Sequence, residues 1–97
     1  MPQQQPGEPY FRISLDEAMG MLDEGSSTVV DVRRLDEYVT GHVTNALFIP
    51  VDDVLTRIDE LPKEGKLLFI CAAGVRSGLA CEMAAAMGLP AERLYNI

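Results

Sequence analysis

A cysteine, Cys71, ends the apolar run Leu67-Leu68-Phe69-Ile70 and is followed by Ala72, Ala73, Gly74, Val75, Arg76 and Ser77. The run is short and stops at a turn signal, which predicts a strand buried on both faces, with a helix over Ser77 to Met87 behind the loop. Cys71 then lies where a strand ends, and in open α/β sheets ligands bind beyond the carboxyl ends of the strands. Ala72, Ala73 and Gly74 are small enough for the chain to curl until successive backbone N–H groups turn inward. They form an anion-binding concavity at the start of a helix. Arg76 adds a permanent cation with several donors. A thiol in that setting has a lowered pKa and reacts as thiolate, so the chemistry is nucleophilic attack with a covalent intermediate on sulfur.

The other candidate residues read as structure. Cys81 falls at the apolar face of the following helix and packs there; nothing in the sequence brings it to Cys71 as a resolving thiol. His42, the single histidine, follows Gly41 in a polar connection, and a structural role is preferred there to general-base catalysis. Asp31 and Arg33 close the second strand, on the edge that carries Cys71 if the sheet is parallel. An ion pair that fixes the connections is preferred for them over direct substrate contact. Two cysteines and one histidine without ligand spacing do not make a closed zinc site, so no metal is expected.

The elements that must position Cys71 follow from periodicity. Tyr10 to Ile13 is a short strand, and Ser14 with Glu17 forms a capping box for a helix that runs to Glu24 and ends at Gly25. Thr28 to Val32 is a β-branched run that suits a strand buried on both faces of a parallel sheet. One helical turn is expected at Leu35 to Val39, and a third strand at Ala46 to Ile49, closed by Pro50. From Val51 to Leu61 the apolar residues share a helical face, and Pro62 stops it. The helix after the loop is expected to bury Leu79, Met83, Ala86 and Met87, and Arg93 to Ile97 is the last strand. Strand and helix alternate, which predicts an α/β fold: a small, open, mainly parallel sheet of about five strands with helices on both faces.

Composition narrows the function. The chain of 97 residues makes one small domain, with 47% hydrophobic and only 6% aromatic residues, so its core is aliphatic. No apolar run reaches membrane-spanning length. Residues 1–9 have neither the basic end nor the apolar segment of a signal peptide and are expected to be a disordered tail ahead of a domain over 10–97. Free thiols without an export signal suit a reducing compartment, the cytoplasm. A net charge of −7 argues against nucleic acid or an anionic membrane as partner. An anionic substrate must then be held by local donors at the loop.

The loop from Cys71 to Ser77 resembles the active-site loop of the rhodanese family, sulfurtransferases that carry a sulfane sulfur on a cysteine. Asp31-Val32-Arg33, Glu37-Tyr38, Gly41-His42, Ala46 and Ile49-Pro50 resemble the family's upstream signature in order and spacing. The resemblance covers about Tyr10 to Ile97. It implies the same α/β fold and a Cys71 persulfide, with Ala72, Ala73, Gly74, Val75, Arg76 and Ser77 binding the substrate and Asp31 and Arg33 in support. It also implies a small-molecule sulfur donor such as thiosulfate, a thiol, cyanide or protein-thiol acceptor, and no cofactor. The alternatives are a non-enzymatic persulfide carrier or interaction module, and a cysteine phosphatase or arsenate reductase. The phosphatases that resemble this fold carry a longer loop between cysteine and arginine. Family members usually continue past the last strand with a Gly-Gly turn and a Trp-bearing helix; this domain is expected to lack them. Asn45 stands where the family often has Gly, and Asn tolerates the left-handed turn.

Overall fold

The two apolar runs become the centre of the sheet. In the computed structural model, which describes residues 1–97, β1 is Phe11–Arg12, β2 Ser27–Asp31, β3 Leu47–Phe48, β4 Lys66–Ile70 and β5 Leu94–Asn96. All pairings are parallel and the order is β1-β5-β4-β2-β3. Parallel strands need crossovers, and α1 (Leu15–Glu24), α2 (Leu35–Thr40) and α3 (Val75–Ala86) lie between them. In register, Asp31 pairs with Ile70 and Asn96 with Phe69. The carboxyl ends of β2, β4 and β5 therefore meet at one edge, where Cys71 leaves β4.

Side chains alternate across a strand, so each face of the sheet gathers its own core. Val30, Leu67, Phe69 and Leu94 pack with Ala80, Cys81 and Ala84 of α3. Val29, Leu68 and Tyr95 pack with Ala18 and Met21 of α1 on the other side. α1 begins as its sequence dictates: Glu17 N–H donates to Ser14 Oγ at 3.1 Å, and Ser14 N–H to Glu17 Oε1 at 2.8 Å. Asn45 takes φ 65° in the turn before β3.

Four expectations are corrected. Val51 to Leu61 is two 3-10 turns, Val51–Asp53 and Ile58–Glu60, because Arg57 breaks the winding at φ −110°, ψ 20° and reaches back to Phe48 O at 3.2 Å. α3 starts at Val75, two residues early, because Gly74 at φ 84° turns the chain straight into the helix. Its buried face is Ser77, Ala80, Cys81 and Ala84; Leu79 and Met87 are 44% and 52% exposed, and Ala86 is exposed too. Small residues at the former positions let the helix lie close to the sheet, which turns the larger ones outward. Finally, residues 1–9 are not a free tail. Gln3 and Arg12 exchange backbone hydrogen bonds of 2.9 and 2.6 Å, and Glu8 takes the Arg12 guanidinium. These bonds occupy the open edge of β1.

Candidate active site

Cys71 leaves β4 half-buried, and its sulfur lies inside the curl of the loop. Gly74 N–H points to Sγ at 3.1 Å and Ser77 N–H at 3.3 Å, with Ser77 Oγ at 3.2 Å. The curl depends on Gly74, whose left-handed conformation a side chain rarely adopts, and which turns two amides toward one point. Burial pushes the Cys71 thiol up. The Ser77 hydroxyl and the amides of Ser77, Ala73 and Gly74 outweigh it, so the pKa lies below the ordinary thiol value. Cys81, in contrast, is fully buried in the core of α3 and the sheet, and burial drives its thiol well above the ordinary value. It is packing material, and both cysteines are free thiols.

Arg76 sits in the first turn of α3, yet its guanidinium is already engaged. Nη1 and Nη2 meet the two Glu37 carboxylate oxygens at 2.5 and 2.9 Å. This fork-to-fork pair holds the Glu37 carboxyl down to about 2, with Arg34 N–H as a second donor, and raises Arg76 further. A substrate anion at Arg76 has to share the cation with Glu37. Asp31 and Arg33 build the frame behind it. Asp31 is buried, accepts Arg33 Nε at 2.9 Å and Nη2 at 2.7 Å, and Arg33 Nη2 also donates to Gly41 O at 2.7 Å. One ion pair thus clamps the end of β2 to the residue that closes α2. α2 in turn presents Glu37 to Arg76.

His42 belongs to the same frame. Its ring lies 3.7 Å from that of Tyr38, with Nδ1 2.9 Å from Tyr38 O, and Tyr38 stacks on Phe48 at 4.4 Å. Among the remaining loop residues, Val75 is 77% exposed, an apolar side chain turned to solvent. A cleft of about 670 Å³ opens beside the loop, lined by Tyr10, Ile13, Gly74, Leu79 and Asn96; Cys71 is not part of its wall. No cluster of His, Cys, Asp and Glu is placed to hold a metal ion. No helix is long and apolar enough to cross a membrane.

Two site residues escaped the sequence reading. Glu37 was legible only as part of the upstream signature, not as the partner of Arg76. Asn96 accepts the Ser77 hydroxyl at 2.5 Å and donates from Nδ2 to Gly74 O at 3.1 Å. Its signal was a polar residue in an otherwise apolar strand, since buried polar groups need partners.

Fold and loop together define a parallel α/β domain that cradles a cysteine sulfur with backbone amides at the start of a helix. The chain belongs to the rhodanese-like domain family, whose defining pattern matches residues 14–97. It is similar to the rhodanese-like domain protein of Staphylococcus aureus, with 32% identity over 89% of this chain and 82% of that one, at a TM-score of 0.78. The human single-domain sulfurtransferase TSTD1 shares 28% identity over 84% of this chain and 83% of its own, at a TM-score of 0.68. YrkF of Bacillus subtilis, whose name gives it as a candidate sulfur carrier, is 33% identical over 70% of this chain. A tRNA uridine(34) hydroxylase of Erwinia tasmaniensis is 38% identical over 72%. The chain spans only 37% and 21% of the length of these two curated relatives.

Proposed function

We propose that this domain transfers a sulfane sulfur through a persulfide on Cys71. Sulfur transfer in general is supported by the family and by relatives named as sulfurtransferases and a sulfur carrier. The observation that carries the finer reading is the pair of N–H groups, of Gly74 and Ser77, converging on Sγ. In the first half-reaction the Cys71 thiolate attacks the outer sulfur of thiosulfate or a small persulfide. A new S–S bond forms, the donor's S–S bond breaks, and sulfite or a thiolate leaves with the electron pair. In the second, a thiol, a protein thiol or cyanide attacks the terminal sulfur and Cys71 departs as thiolate. Loop amides stabilise the charge on sulfur in both steps, and Arg76, shared with Glu37, orients the donor's oxygens. The chemistry suits the cytoplasm, where thiols stay reduced.

Intact-mass measurement tests this. Thiosulfate is expected to add one sulfur atom to the chain and cyanide to remove it, and Cys71→Ser to take up none. Loading that persists in Cys71→Ser would overturn the assignment. Turnover of thiosulfate with cyanide separates an enzyme from a carrier that only loads. An aryl phosphate assayed on the same preparation is expected to release no phosphate. Only four residues separate Cys71 from Arg76, a ring sized for one sulfur. A phosphoryl group needs its oxygens held together for in-line attack.

A further inference from the structure

Ser77 Oγ stands between two acceptors: Cys71 Sγ at 3.2 Å and Asn96 Oδ1 at 2.5 Å. A hydroxyl has a single hydrogen to donate. The Asn96 amide cannot be turned around to relieve the demand, because its Nδ2 already donates to Gly74 O at 3.1 Å. Asn96 Oδ1 therefore faces Ser77 and has no other donor. Ser77 is fully buried and Asn96 is 8% exposed, so water does not stand in. With the hydrogen on Asn96, Ser77 offers Cys71 a lone pair, which suits an S–H donor. A thiolate has no hydrogen and meets that lone pair with its own. The two loop amides serve the thiolate as they stand, whereas the hydroxyl serves it only by rotating toward sulfur, which leaves a buried amide oxygen unpaired at the full desolvation cost of that group.

Resting on the reading of Cys71 as the sulfur carrier, we propose that Asn96 is a positioning residue that competes with Cys71 for the hydrogen of the Ser77 hydroxyl. The sulfur's charge and the hydroxyl's orientation change together. When the thiolate takes up a second sulfur, negative charge moves to the terminal atom and the hydrogen returns to Asn96. Asn96 thus opposes the free thiolate and favours the two states on either side of it, thiol and persulfide.

The other charged and titratable groups around the site are Arg76 with Glu37, from α3 and α2, and Asp31 with Arg33, from the end of β2. Tyr10, bonded to Glu8, stands beside Gly78. Replacing Asn96 removes none of these. The test is the pH dependence of iodoacetamide alkylation at Cys71, located by peptide mass, on the whole chain without any sulfur donor. Asn96→Leu frees the hydroxyl for sulfur, and alkylation below the midpoint is expected to speed up about fivefold, the factor for one redirected hydrogen bond. Ser77→Ala is expected to slow it. In a Ser77→Ala background, Asn96→Leu is expected to change nothing. An unchanged or slower rate in Asn96→Leu overturns the proposal, as does an equal change in both backgrounds, the mark of a merely structural loop support. Should Asn96→Leu not fold, Asn96→Ala is read by the same criteria. Because no sulfur transfer is involved, failed loading with an intact alkylation pattern would remove the proposed function and leave the competition standing.

Discussion

Gly78 and Gly20 are both helical glycines, and opposite signs are expected when each becomes alanine. On Gly20, in α1, an added Cβ meets nothing within 4 Å. Gly20→Ala should therefore gain the helix preference of alanine, about 1 kcal/mol. On Gly78, in α3, the Cβ falls 3.2 Å from Asn96 Nδ2 and 3.3 Å from Tyr10 Oη. Neither neighbour is free to give way: Asn96 is fixed by Ser77 and Gly74, and Tyr10 is buried with its hydroxyl on Glu8. Overpacking costs about 1–3 kcal/mol, so Gly78→Ala is expected to lose about 1 kcal/mol net of its helix gain. The two variants should differ by about 2 kcal/mol. With a urea slope of about 1 kcal/mol per molar for a small domain, their midpoints then separate by about 2 M, on either side of wild type. Sulfur loading should also fall in Gly78→Ala, since the pressed residue holds the loop. If Gly78→Ala raises the midpoint as Gly20→Ala does, α3 has room above β5 and the close seating of Asn96 is wrong.

Phe69→Ala, at the fully buried middle of β4, is expected to cost about 3–5 kcal/mol, a large part of a small domain's stability, read from the urea midpoint. Glu37→Gln releases Arg76, so the KM for thiosulfate should fall, whereas Arg76→Ala should raise it; equal effects on an uncharged persulfide donor would deny Arg76 a role in holding charge. The pair also sets a pH window. The Glu37 carboxyl is depressed from 4.5 to about 2, so its contribution is complete above the ordinary carboxylate range and is lost as pH falls through about 2. The stability difference between wild type and Glu37→Gln should accordingly persist at pH 7 and close between pH 4.5 and 2, followed by urea melts at each pH.

What could be read from the chain was whatever the physics places within a few residues. The capping box of Ser14 and Glu17, the β-branched run before Asp31 and the strand that delivers Cys71 are local patterns, and each recurs in the structure. The face of α3 was not legible, because size misled: Leu79 and Met87 look like core, yet the helix seats on Ala80, Cys81 and Ala84. The partners of the loop were hidden for a different reason. Glu37 lies 39 residues from Arg76, and Asn96 lies 19 from Ser77; only the parallel register brings them together. A buried polar residue in a strand announces that it has a partner, not which one.

The strand order bears on when Cys71 acquires its surroundings. β5 is the last strand in sequence but lies inside the sheet, between β1 and β4. Until it is seated, β1 has no strand to pair with and Ser77 has no Asn96. Such distant pairings form late, because a long loop must close before any contact repays it. A half-folded chain holds Cys71 on an unfinished loop, without the geometry that governs its charge. The tuned geometry around Cys71 is therefore a property of the completed sheet, present only once β5 is seated between β1 and β4.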